Sequence, residues 1–235
     1  MAKTSVWRSI ANALTAEIAA GHYRPGDKLP TEAELASRFG VNRHTVRRAL
    51  QDMQEQGLTH ARRGAGVFVL AEPTDYPIGK RVRFHQNLEA AGRMPAKRIL
   101  TLQTRPCDKE EAGALQIAAG TPVHVYEGLS LADNIAIAIF RSVFSAERFP
   151  GLLGDLDHMK SVTRALAAAG VKDYTRASTR LTAKLATATQ ALHLNVAEGA
   201  PILRTVGINV DPDGCPVEYG HTWFVGDRIT LVVEG

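Results

Sequence analysis

Cysteine is almost absent from this chain: Cys107 and Cys215 are the only two in 235 residues, and neither stands in a CxxC or Cys/His spacing. The count excludes a disulfide framework and the spacing argues against a structural metal site, so isolated thiols in a reducing compartment are expected. Long apolar runs are missing too. None approaches the ~20 residues that cross a bilayer, so no membrane partner is expected. The opening Met1-Ala2-Lys3-Thr4-Ser5 lacks the charged-then-apolar layout of a secretory signal, and a cytoplasmic location is the expectation. Catalytic patterning is equally thin. His124, His158, His193 and His221 are scattered singly, with no HxxxH or GxSxG context. Nothing groups an acid, a base and a nucleophile, so neither a cofactor nor an enzymatic activity is expected. There is no internal repeat and no low-complexity tract.

What is present suits a protein that builds its own core: 45% of residues are hydrophobic and 22% charged. The length admits one large domain or two modest ones. The net charge of +4 is placed unevenly. Ten of the 28 Lys/Arg fall in residues 1–70 against six of the 24 Asp/Glu, leaving eighteen of each in residues 71–235. The whole excess lies in the first third, where a polyanion would be engaged through its phosphates.

Ile10, Leu14 and Ile18 recur at four-residue spacing and predict a helix over about 5–20, stopped at Gly21. Thr31-Glu32-Ala33-Glu34 fits a capping box opening a second helix, with Leu35, Ala36 and Phe39 on its apolar face and Gly40 as its end. Asn42 caps a third, over about 43–56, whose Val46, Ala49, Leu50 and Met53 form one buried stripe. Arg62 to Val69 reads as a tight hairpin with glycines at its tip. Prolines 73 and 77 then mark a connector, giving a domain at 1–70, a linker at 71–80 and a second domain at 81–235. In the second domain, strands are expected at 97–104, 122–131, 135–144, 175–186, 201–210 and 216–225. Helices are expected near 83–91, 108–118, 160–169 and 187–192, with Asp108 and Glu111 as a further capping box. Asp133-Asn134 and Asp211 to Gly214 look like hairpin turns. The expected class is α+β: an antiparallel sheet with flanking helices behind a three-helix head.

The stripe of the third helix leaves Arg43, His44, Arg47, Arg48 and Gln51 on its other side. Arg43 and Arg47 share a face near the helix start, where a recognition helix meets base edges and where Arg pairs bidentately with guanine. Thr45, Arg48, Thr31 and Lys28 are better placed for phosphates. Arg62 and Arg63 precede a tip at Gly64 and Gly66 slender enough for a minor groove. Singly, each feature is more often a solvated face or an ordinary turn. Together, within 65 residues, they point to duplex DNA.

The run from Pro25 to Ala36, then Val41 to Leu50, Gly57 and Arg63 to Val69 resembles the GntR-type winged helix-turn-helix. The resemblance implies a transcriptional regulator that binds a palindromic operator as a homodimer, with DNA contacts at Arg43, Thr45, Arg47, Arg63 and Gly64. Many members carry Arg where this chain has Ala33, which implies one contact fewer from the second helix. The remainder is similar to the effector (UTRA) domain of the HutC branch, related in fold to chorismate lyase. Tyr76-Pro77, Arg83-Phe84, Asn87-Leu88, Gly120 to Val123 and Pro216 to Tyr219 carry that likeness, and within the branch it is strongest to regulators of phosphonate utilisation.

The resemblance implies a small-molecule effector, with a phosphonate as the expected kind, bound by Arg83, His85, Ser161, Arg180, Glu218 and Tyr219, for an anion needs converging Arg, hydroxyl and N–H donors. Two strand positions that often hold arginine carry Glu127 and Ser130 here. An aminated phosphonate whose amine meets Glu127 fits that change. Other effectors remain open at this point: urocanate, a sugar phosphate or an amino sugar. So do two other functions, an enzyme on the lyase-like fold and a DNA-binding protein whose second domain only dimerises.

Overall fold

The computed structural model describes residues 5–62, 64–70 and 73–233. The chain divides into two compact units, Met1–Glu72 and Pro73–Gly235. In the first, α1 (Val6–Ala19), α2 (Glu32–Phe39) and α3 (Arg43–Glu55) close over Ile10, Leu14, Leu35 and the full stripe of Val46, Ala49, Leu50 and Met53. Local chemistry sets the helix starts. Glu34 N–H donates to the Thr31 hydroxyl at 3.3 Å while Glu34 accepts from Thr31 N–H at 2.7 Å, and Asn42 Oδ1 accepts from Thr45 N–H at 2.9 Å. Gly40 ends α2 in the left-handed region at φ 63°. Then β1 (Thr59–Arg62) and β2 (Gly66–Val69) pair antiparallel as a wing. Residues 26–29 extend it, with Leu29 N–H donating to Val67 O at 2.8 Å and Val69 N–H to Asp27 O at 2.9 Å.

The second unit is built on β4 (Pro95–Pro106), β5 (Pro122–Ala132), β6 (Ile135–Ser145), β7 (Thr175–Leu185), β8 (Pro201–Val210) and β9 (Pro216–Val225). They form one antiparallel sheet in the order β4-β5-β6-β9-β8-β7. Helices α5 (Lys109–Leu115) and α8 (Ala188–Leu194) bury Leu115 and Leu194 on one face. On the other, α4 (Phe84–Ala90), α6 (Leu152–Met159) and α7 (Val162–Ala168) pack through Leu88, Leu156 and Leu166. The architecture is therefore a winged helix-turn-helix followed by an antiparallel sheet flanked by helices, the α+β class expected.

Three local expectations need correction. The segment 71–80 is not a free connector throughout: β3 (Thr74–Pro77) pairs in parallel with β10 (Ile229–Val232), and both strands were missed. With four residues each, they are too short for an alternation signal. The helix α6 was also missed, because Gly151 and Gly154 obscure its apolar spacing. Finally, the helix expected from 160 starts later, since Lys160 is left-handed at φ 50° and Ser161 is the cap of α7.

Candidate DNA-binding surface and effector cleft

In the head, Arg43 and His44 lie exposed at the start of α3 and make no hydrogen bond or ion pair among the described residues. Arg47, on the same face, is engaged: its Nε and Nη2 donate to the two carboxylate oxygens of Glu32 at 2.8 and 2.6 Å. That fork ties α3 to α2 and holds the Glu32 carboxyl below its ordinary value. The pair is solvent-exposed, so it is weak enough to exchange for a base or phosphate. Arg48 lies over Trp7, 4.8 Å from the ring centroid. The Thr31 and Thr45 hydroxyls already donate to Glu34 Oε2 at 2.7 Å and Asn42 Oδ1 at 3.0 Å. A phosphate accepts but does not donate, so it is better served by the first amides of the helices, Glu32 and Ala33 or Arg43 and His44, which have no intrahelical partner.

At the wing, Gly64 and Gly66 sit at φ 75° and 116°. The stem of Lys28 crosses Gly66 so closely that a Cβ there would meet Lys28 Cε at 2.7 Å. Arg63 and the side chain of Arg62, both expected to contact DNA, lie outside the described residues.

In the second unit, a cleft partly open to solvent lies on the α4/α7 face of the sheet. Strand register fixes its floor. Arg176, Asn209 and Glu218 are aligned across β7, β8 and β9, and Thr205, Thr222 and Phe140 across β8, β9 and β6. Lys97 and Ser130 are partners across β4 and β5. The roof includes His85 from α4 and Ser161 and Thr163 from the start of α7.

Of the residues expected to meet an effector, His85, Ser130, Ser161 and Glu218 line this cleft. Glu127, Arg180 and Tyr219 do not, and the reason is the two-residue period of a strand. Arg180, Val206, His221, Arg141 and Glu127 form one row on the opposite face. Tyr219 points to that face as well, its hydroxyl donating to Glu110 at 2.6 Å. An amine in the cleft therefore cannot meet Glu127. Arg83 is a buried tie: Nη2 donates to Tyr174 O at 2.7 Å and Asp173 Oδ1 at 3.1 Å, and the guanidinium stacks 3.6 Å from the Tyr174 ring centroid. It lines only an adjoining depression.

The cations of the cleft are two that sequence reasoning missed, Lys97 and Arg176. Lys97 Nζ lies 3.5 Å from the Phe140 ring centroid, with one long hydrogen bond of 3.5 Å to Ser130. Burial pushes its ammonium down to about 7, against the opposing pull of Glu218. Arg176 reaches inward over Gly207, where a Cβ would lie 1.5 Å from Nη1. Its Nε is buried without a partner, and its guanidinium makes no hydrogen bond or ion pair among the described residues. Glu218 instead accepts from Ser142 Oγ at 2.5 Å and Asn209 Nδ2 at 2.6 Å. Burial, and next Lys97, push the His85 imidazole down, favouring its neutral form. Groups of three or more metal-ligating side chains do not occur among the described residues.

Comparison with known proteins gives a consistent result. Residues 7–69 match the description "Bacterial regulatory proteins, gntR family" and residues 90–230 match the UTRA domain. An uncharacterized HTH-type transcriptional regulator of Rhizobium meliloti is 37% identical over 98% of this chain and 95% of its own length. The probable transcriptional regulator PhnF of Escherichia coli is 33% identical, over 91% of this chain and 88% of its own. The crystal structure of PhnF from Mycobacterium smegmatis superposes with a TM-score of 0.68 at 25% identity, covering 96% of this chain and 98% of that one.

Proposed function

This chain belongs to the GntR family of bacterial regulatory proteins, in the HutC-type branch that carries a UTRA domain, and from that premise we propose that it is a repressor released from its operator by a small anionic effector. It is a transcriptional regulator of this type, and its relatives are regulators rather than enzymes. The observation that carries the finer reading is the pairing of two features in one chain: a recognition helix with Arg43 unengaged at its exposed start, and a separate cleft holding two cations with almost no partners of their own. Arg43, Arg47, Lys28 and the wing at Arg62 to Gly66 would grip a palindrome as a homodimer. Arg43 and Arg47 would read bases, and the helix-start amides would hold phosphates.

An effector releases DNA only through a higher affinity for the conformation that does not bind DNA. Coupling of about 1–3 kcal/mol weakens operator binding by roughly 5–150-fold. Two cations in the cleft favour a phosphonate or phosphate, and the likeness to PhnF supports the reading that the controlled genes serve phosphonate use. A thermal-shift panel of phosphonates, inorganic phosphate, sugar phosphates and urocanate tests the reading. A phosphonate is expected to raise the melting temperature most and to weaken operator binding in the same preparation. A response confined to urocanate or to sugar phosphates would move the protein to another catabolic pathway.

A further inference from the structure

The family resemblance leads one to seek the effector's anion site at Arg83, Arg180 and the strand positions held by Glu127 and Ser130. The structure offers cations at two other positions, Arg176 and Lys97, the latter beside Ser130. Arg176 stands on β7 at one edge of the sheet and Lys97 on β4 at the other, and both long side chains turn inward over the same floor. Gly207 leaves the space that the Arg176 guanidinium fills, and among the described residues neither cation has a counter-ion in contact with it. A buried guanidinium nitrogen with no acceptor costs free energy, and an oxyanion relieves that cost. Between the two, Glu218 is fixed by Ser142 and Asn209 in the row that also contains Arg176. Each Glu218 oxygen accepts one hydrogen bond there and keeps capacity for another.

We infer that the cleft takes a small zwitterion: a tetrahedral oxyanion held by Arg176, with a primary amine a short spacer away at Glu218. With Lys97 protonated, two cations and one carboxylate give the lining a net charge of +1, which an aminoalkyl phosphonate or phosphate monoester complements. Either source supplies the same headgroup. The inference rests on the reading of this cleft as the effector site and names its ligand class and residues.

Calorimetry on the full chain with 2-aminoethylphosphonate, O-phosphoethanolamine and ethylphosphonate tests it. At least one of the two amine-bearing probes is expected to bind, and a preference between them identifies the source. Ethylphosphonate is expected to bind roughly tenfold or more weakly, and Arg176→Gln to weaken the amine-bearing probe by roughly 10- to 100-fold. Glu218→Gln is expected to abolish the preference for the amine. Gly207→Ala, which removes no charge, provides a second route by displacing the Arg176 guanidinium. Equal affinity for ethylphosphonate, unchanged binding by Arg176→Gln and Gly207→Ala, or no binding of any probe would each overturn the inference. In the last case, a melting temperature and operator affinity that still respond to another compound leave the sensor reading intact, whereas no response to any compound overturns both.

Discussion

Gly207 and Arg176 explain each other. A methyl group at 207 would overlap the guanidinium, so a floor without a side chain lets this arginine of the edge strand β7 lie over the neighbouring β8. Gly207→Ala is therefore expected to leave DNA binding unchanged while lowering effector affinity roughly tenfold or more, read by calorimetry beside an operator titration. Lys97 makes a separate claim on stability. Its folded value of about 7 lies below the ordinary lysine value of 10.5. Between those two pH values the unfolded chain holds the extra proton, so stability rises with pH across that window, while below 7 the cost of burying the charge is fully present. In the absence of effector, the melting temperature of wild type relative to Lys97→Met is expected to climb from pH 7 to pH 9. A flat difference would contradict the burial of the ammonium. In the head, Arg43→Ala is expected to weaken specific binding by roughly 10- to 100-fold without changing the melting temperature. An anisotropy titration against specific and scrambled duplexes measures it. Arg47→Ala is expected to lose specific binding too, and it also breaks the fork to Glu32.

At the scale of elements, local chemistry was legible and face assignment was not. Both capping boxes expected from Thr31/Glu34 and Asp108/Glu111 formed, because each depends on four consecutive residues. The stripe of α3 was equally readable from one period. The six long strands emerged close to their expected bounds, since alternation and turn residues mark them. Cleft residues could not be found in this way. Tyr219 follows Glu218 directly, so both could not face the cleft. Bulges compound the problem: Arg176 and Thr179 both line it, three residues apart, because the register shifts between Arg176 and Ser178. Counting by twos from Arg176 selects Arg180, which lies on the other face. A second bulge lies between Ile99 and Thr101 on the strand of Lys97. The element most exposed to a single change is α3, whose first turn is held by Asn42. Asn42→Ala is expected to cost about 1 kcal/mol in urea unfolding and to weaken DNA binding through disorder at Arg43 and His44.

The whole molecule separates two jobs along its length. The entire net charge of +4 belongs to residues 1–70, the region of the recognition helix and wing, while the second unit balances its charges and brings two cations, Lys97 and Arg176, to the lining of one cleft. The proposed operator and effector sites thus differ in kind, one an exposed arginine-bearing helix and the other a partly enclosed polar cavity, and linkage requires only that the conformations favoured by their ligands differ. The most direct test is operator selection from a random duplex pool, followed by anisotropy titration of the recovered sequence with wild type and Arg43→Ala, each with and without the compound that most raises the melting temperature. Enrichment of a palindrome, its loss in Arg43→Ala, and a roughly 5–150-fold weakening of wild-type binding by the compound are expected. A pool with no enriched sequence, or full affinity in Arg43→Ala, would contradict the account.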